Sequence, residues 1–198
     1  MAWVSLPASG AGPIEAEATE KGESMSIKRW LFAIAFAVAA VGPMAWPAAA
    51  STGSSGFGFQ ASRIDGFPTG AVFLSGGGKA DPVTGFVRAT GGFSCLETVS
   101  QGPLSGCLAG QGVRWDTEVL LRSTNFKCTG AATEALKSAV TNTRTAVLQS
   151  DFYRAGDGND ESFTAQVIVS HDDIAPDIAG IQNVWVQGVG CGSAVGSL

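Results

Sequence analysis

Between Ala71 and Val189 the chain repeats one pattern: a short run rich in β-branched and aromatic residues, then a break of Gly, Pro, Asn or Asp. No other feature constrains the fold as much, because such runs make strands and such breaks make turns. In residues 112–121, Val113, Trp115, Thr117 and Val119 share one face by period two, and Arg114, Asp116 and Glu118 share the other. That alternation predicts a half-buried strand. Residues 71–75, 85–89, 93–99, 145–153, 162–170 and 183–189 have a similar composition. Gly76-Gly77-Gly78, Asp81-Pro82 and Gly91-Gly92 read as the turns between the early runs, which predicts an antiparallel meander of roughly seven to nine strands. The expected class is mainly β, an antiparallel β sandwich or barrel with one short helix. That helix is expected where Ala132, Ala135, Leu136, Ala139 and Val140 recur at helical spacing, with Thr129 or Thr133 as its cap and Asn142 as its stop.

The first fifty residues follow another logic. Lys28 and Arg29 precede an apolar stretch over residues 30–41, and Ala48-Ala49-Ala50 stands before Ser51. This is the layout of a secretory signal peptide cleaved at Ser51, with Met25 as the natural start. Pro43 and Pro47 interrupt the apolar stretch, which favours a leader over a membrane-spanning anchor. Residues 1–50 are therefore read as N-terminal extension and signal peptide, and residues 51–198 as one Gly-rich β domain with no membrane segment after cleavage. Residues 51–58 read as a flexible lead-in in which Phe57 and Phe59 alternate with small residues and are able to start a strand.

All four cysteines, Cys95, Cys107, Cys128 and Cys191, lie past the leader. An even number in an exported chain points to disulfides, and the spacing lacks the close Cys pairs of a zinc site. Gln101-Gly102-Pro103 lies midway between the first two, so a hairpin turning there sets Cys95 opposite Cys107. Cys128 then pairs with Cys191 by elimination. Past residue 50 there are 13 acidic and 9 basic residues, and the basic ones form no cluster. A nucleic-acid partner requires a concentrated positive field, so that class is excluded and the expected partner is a ligand or cell-surface component of unknown identity.

The runs Gly91-Gly92-Phe93-Ser94-Cys95, Gly112-Val113-Arg114-Trp115-Asp116 and Asp151-Phe152-Tyr153-Arg154-Ala155-Gly156-Asp157 resemble small exported proteins of unknown function from high-GC bacteria, over most of the chain past the leader. More distantly, the Gly-rich entry, the Asp157-Gly158 turn and the Ser162-Phe163-Thr164-Ala165 run are similar to Gly-rich β domains of secreted bacterial surface proteins. Neither resemblance implies catalytic residues.

The remaining motifs each admit a chemical and a structural reading. His171, the single histidine, precedes Asp172 and Asp173, but neighbours in an extended chain face opposite ways, so a solvated turn is favoured over a His-Asp base. No G-x-S-x-G nucleophile turn occurs past the leader. Asp157-Gly158-Asn159-Asp160-Glu161 offers oxygen ligands for calcium without EF-hand order, and reads better as a hairpin turn joining the strands of Tyr153 and Phe163. Gly76-Gly77-Gly78-Lys79 lacks the spacing of a phosphate loop. Trp115 and Trp185 read as core residues, or as the wall of a ligand pocket. No cofactor or metal is expected. The function expected is a secreted, disulfide-bonded, non-catalytic binding or surface-associated domain. Its rivals are a small secreted hydrolase using Asp151, Asp157 or His171, and a small-molecule carrier with a closed apolar barrel.

Overall fold

Ten strands arise from these runs: β1 Ser55–Gly66, β2 Val72–Asp81, β3 Phe86–Cys95, β4 Arg114–Leu121, β5 Ser123–Phe126, β6 Lys137–Val140, β7 Thr145–Tyr153, β8 Ser162–Ser170, β9 Val184–Val186 and β10 Gly190–Ser197. The computed structural model describes residues 53–153 and 162–197, so the leader, its cleavage site and the acidic run 157–161 lie outside the described residues. Eight strands close into an antiparallel barrel in the order β1-β10-β9-β8-β7-β4-β3-β2, and β5 and β6 form a separate two-stranded sheet. Of the two expected architectures, the barrel is the one adopted. It is an up-and-down meander interrupted only by the β5–β6 hairpin, and its closure removes terminal sheet edges.

Period two sends Phe57, Phe59 and Ala61 of β1, Val72 and Leu74 of β2, and Trp115 of β4 into the interior. Four aromatic rings meet there: Trp115 lies 6.0 Å from Phe59 and 6.5 Å from Phe152, which in turn lies 4.9 Å edge-on from Phe93. An eight-stranded barrel is just wide enough to be filled by such side chains, and each one buried contributes about 1.5–3 kcal/mol. The Trp115 Nε1–H donates to the Ser75 carbonyl at 2.8 Å, so its one polar atom is satisfied.

This packing corrects the reading of the glycine runs. Gly76-Gly77-Gly78 and Gly91-Gly92 are not turns; they lie inside β2 and β3. A Cβ at Gly76 would stand 2.5 Å from the Trp115 ring, and one at Gly91 would strike the backbone of Ser75. Glycine is required at Gly76 because the Trp115 ring occupies the space of a side chain, and at Gly91 because the β2 backbone approaches too closely for one. The lead-in is corrected too, since β1 begins at Ser55 and pairs with both β2 and β10.

One barrel end is capped by the segment between β3 and β4. Val99 and Leu104 are buried there, and Cys95 is disulfide-bonded to Cys107. The segment turns near Gly102, with the Val99 N–H donating to the Cys107 carbonyl at 2.9 Å. A second apolar cluster lies outside the barrel wall. Val147, Ile168, Trp185 and Cys191 point outward from β7–β10 and are covered by Phe126 and Ala139 of the hairpin and by Ala175. The Cys128–Cys191 disulfide ties this cover to β10, and Trp185 Nε1–H donates to the Lys127 carbonyl at 2.8 Å.

The expected helix does not form; no helix occurs among the described residues. Residues 131–136 form a turn that leads into β6, where Lys137–Val140 pairs with β5. Glu134 supplies the reason. Its carboxylate accepts from the Cys128, Thr129 and Gly130 amides at 2.6, 2.8 and 3.1 Å and from Lys137 Nζ at 3.0 Å. Those bonds fold the chain back on itself, and Leu136, expected on the helix stripe, is 65% exposed. Burial of Glu134 opposes its ionisation, but the Thr129 hydroxyl, these amides and Lys137 outweigh it and hold the carboxyl down at about 2.

Candidate functional site

Trp115 and Trp185, the candidate binding residues, are both core residues. Trp115 is wholly buried in the barrel and Trp185 is buried beneath the hairpin, so neither ring is presented to a ligand. The open end of the barrel holds a cavity of about 30 Å³ beside Phe59, Ser170, His171 and Asn183. That space suits water and not an organic molecule. Its polar rim is largely satisfied within the chain: Thr145 and Ser170 share a hydroxyl–hydroxyl bond of 2.9 Å, and Asn183 makes a reciprocal pair with the Ala194 backbone.

The candidate catalytic residues are not brought together. His171 is exposed in the turn after β8, and its amide donates to the Arg144 carbonyl at 2.8 Å. Asp172 pairs with Arg144 at 2.5 Å, which lowers its carboxyl, and Asp173 accepts from the Ala175 and Gln182 amides. Asp151 stands near the far end of β7, on the outer wall. Since Thr145 faces Ser170 and Asp151 faces Thr164 in the β7–β8 register, six residues, or about 20 Å, separate it from the His171 end. Asp151 accepts from the Thr164 hydroxyl at 2.7 Å, and its charge raises the neighbouring Glu118 carboxyl. Asp157 lies outside the described residues. Among the described residues no His, Cys, Asp or Glu group is arranged to hold a metal ion.

A broad concave surface lies on the outer wall, where β3 and β4 part. Their ladder covers only Thr90–Asp116, Gly91–Trp115 and Gly92–Arg114. Towards the open end, the Thr117 hydroxyl bridges the gap, donating to the Ala89 carbonyl at 2.9 Å and accepting from the Ala89 amide at 2.8 Å. An open groove of about 730 Å³ runs over Gly77, Lys79, Phe86, Arg88 and Asp116, and another of about 390 Å³ lies near Val83, Arg122 and Val140. Val83, Phe86 and Val140 are between 50% and 76% exposed along these grooves.

The cations divide sharply. Arg63, Arg114, Lys137 and Arg144 each pair with a carboxylate, and Lys127 donates to the Ala131 carbonyl. Lys79, Arg88 and Arg122 make no side-chain hydrogen bond or ion pair with any described residue, and all three border the seam. Lys79 and Arg88 also face each other across β2 and β3, a like-charge pair that opposes folding. Sequence reading missed this site because reading Gly76-Gly77-Gly78 as a turn ends the strand before Lys79, which β2 in fact carries opposite Arg88. The available signal was the alternation Phe86, Arg88, Thr90, which puts an aromatic and a cation on one solvent face. The chain matches no protein-family model, no curated protein and no solved structure.

Proposed function

We propose that the protein is exported by its leader, begins at Ser51 once processed, and acts as a non-catalytic binding or surface-associated barrel whose ligand meets the outer wall. The observation that carries this reading is where space is found. The interior is filled by Trp115, Phe59, Phe93 and Phe152, whereas the wall at the β3–β4 seam is grooved, partly apolar and edged by cations that pair with no described residue. Two disulfides, each buried, suit an oxidising compartment outside the cytoplasm. The separation of Asp151 from His171 speaks against a hydrolase built on those two residues.

Chemical-shift mapping of the secreted protein against soluble cell-envelope fractions tests the reading. Binding is expected to move the amides of Lys79, Phe86 and Arg88 and to leave the Trp115 indole N–H in place. A ligand that shifted the Trp115 indole instead would establish a carrier. Turnover of an ester or glycoside panel that disappears in Asp151→Asn or His171→Ala would establish a hydrolase. N-terminal sequencing of protein from the medium is expected to begin at Ser51, and an intact Met1 or Met25 would refute export with cleavage there.

A further inference from the structure

The seam offers more than charge. Both backbone groups of Ala89 point towards β4, where the Thr117 hydroxyl takes them. Backbone direction alternates along a strand, so the N–H and C=O of Val87, two residues on, point the same way. No strand pairs with Val87 on that side among the described residues, since the β3–β4 ladder stops at Thr90. Beside this unused edge Phe86 is 50% exposed, and Lys79, Arg88 and Arg122 make no ion pair with a described residue, while Asp116, which lines the same groove, is paired with Arg114.

We propose that the seam binds an extended acidic polypeptide segment by strand addition along β3, with its backbone on the free edge at Val87, apolar side chains against Phe86, and carboxylates on Lys79 and Arg88. This rests on the outer-wall reading above and names the ligand class for it. An amide edge matches a polypeptide backbone, which has donor and acceptor at strand spacing; a polysaccharide or a lipid headgroup has the charge without that repeat. The cross-strand Lys79–Arg88 pair is unfavourable in the free protein and becomes favourable once acidic side chains lie between the two cations.

The test uses the secreted, disulfide-bonded protein and a blocked synthetic peptide of alternating Val and Glu. Binding is expected at low salt, weakened about tenfold at 0.5 M salt and about tenfold in Arg88→Glu. Exchange of the Val87 amide with solvent is expected to slow about tenfold on saturation. Lys79→Glu gives a readout that a structural role would not: it replaces a like-charge pair with an opposite pair, so it should raise the Tm slightly while weakening the peptide. The proposal is overturned if a Val-Lys peptide binds as well, if Val87 exchange is unchanged, or if only polygalacturonate or phosphatidylglycerol vesicles move the Lys79 and Arg88 amides. In those last two cases the outer-wall reading stands and the strand-addition reading falls. If no probe moves that face, both fall.

Discussion

The barrel interior and the flank beneath the β5–β6 hairpin are both apolar cores, but they are closed in different ways. The interior is bounded by eight strands in closed order, each held by two neighbours, although the β3–β4 ladder spans three residue pairs. The flank is covered by a hairpin of four-residue strands, the Cys128–Cys191 bond, and the Glu134–Lys137–Asp177 ion network. The interior is thus sealed by topology and the flank by side-chain chemistry. The difference teaches where the molecule yields first: a cover fastened at a few points opens locally, and a closed ladder opens only with the whole fold.

Paired tryptophan truncations probe the comparison most strongly. Trp115→Ala should cost about 5 kcal/mol, because a closed barrel cannot collapse onto the space left, and Trp185→Ala about 3, because the hairpin can settle inwards. Urea denaturation of both variants decides it, and equal losses would break the distinction. Removing disulfides comes next. The chain-entropy model gives about 4 kcal/mol for Cys128–Cys191, with a sequence separation of 63, and about 3 for Cys95–Cys107, with a separation of 12. Hydrogen exchange should show the Cys128→Ser/Cys191→Ser variant losing protection first over β5 and β6.

Glu134→Gln should cost about 2 kcal/mol, since buried amides lose a charged acceptor. Its pH dependence sharpens the same point. Because the folded carboxyl is held at about 2, below its ordinary 4.5, its stabilisation is complete above pH 4.5 and is lost as pH falls through that window towards 2. Acid titration followed by Trp185 fluorescence should therefore show the flank loosening before the barrel, and Glu134→Gln should abolish that early phase. The smallest effect has the opposite sign. Ser150 Oγ is buried in the interior with no hydrogen-bond partner among the described residues, so Ser150→Ala should stabilise the fold by about 1 kcal/mol. A loss on calorimetry would mean that the hydroxyl is satisfied inside the barrel.

What the sequence determined by itself was local. Alternation in residues 112–121 put Trp115 on a buried face, although Val113, ahead of the strand, and Val119, past a bulge after Thr117, of the same expected face are half-exposed. The turn between Cys95 and Cys107 predicted their bond, because it depends on short chain reach. Even the double burial of the flank strands is written in unbroken apolar runs such as Val167-Ile168-Val169 and Val184-Trp185-Val186, which alternate less than half-exposed strands do. What tertiary structure alone decided depends on partners far along the chain. Gly76 belongs inside a strand because Trp115 needs its space, and the indole bonds to a carbonyl forty residues away. Residues 132–140 carry a helical stripe, but Glu134 has a nest of amides to bind and β5 lies alongside to pair. The seam emerged in the same way: Lys79 and Arg88 are unremarkable in the sequence and become a pair of opposed cations only once the register of β2 on β3 brings them face to face. Periodicity is a property of one strand, whereas close approach and charge pairing belong to two, and their register is set by the closed barrel.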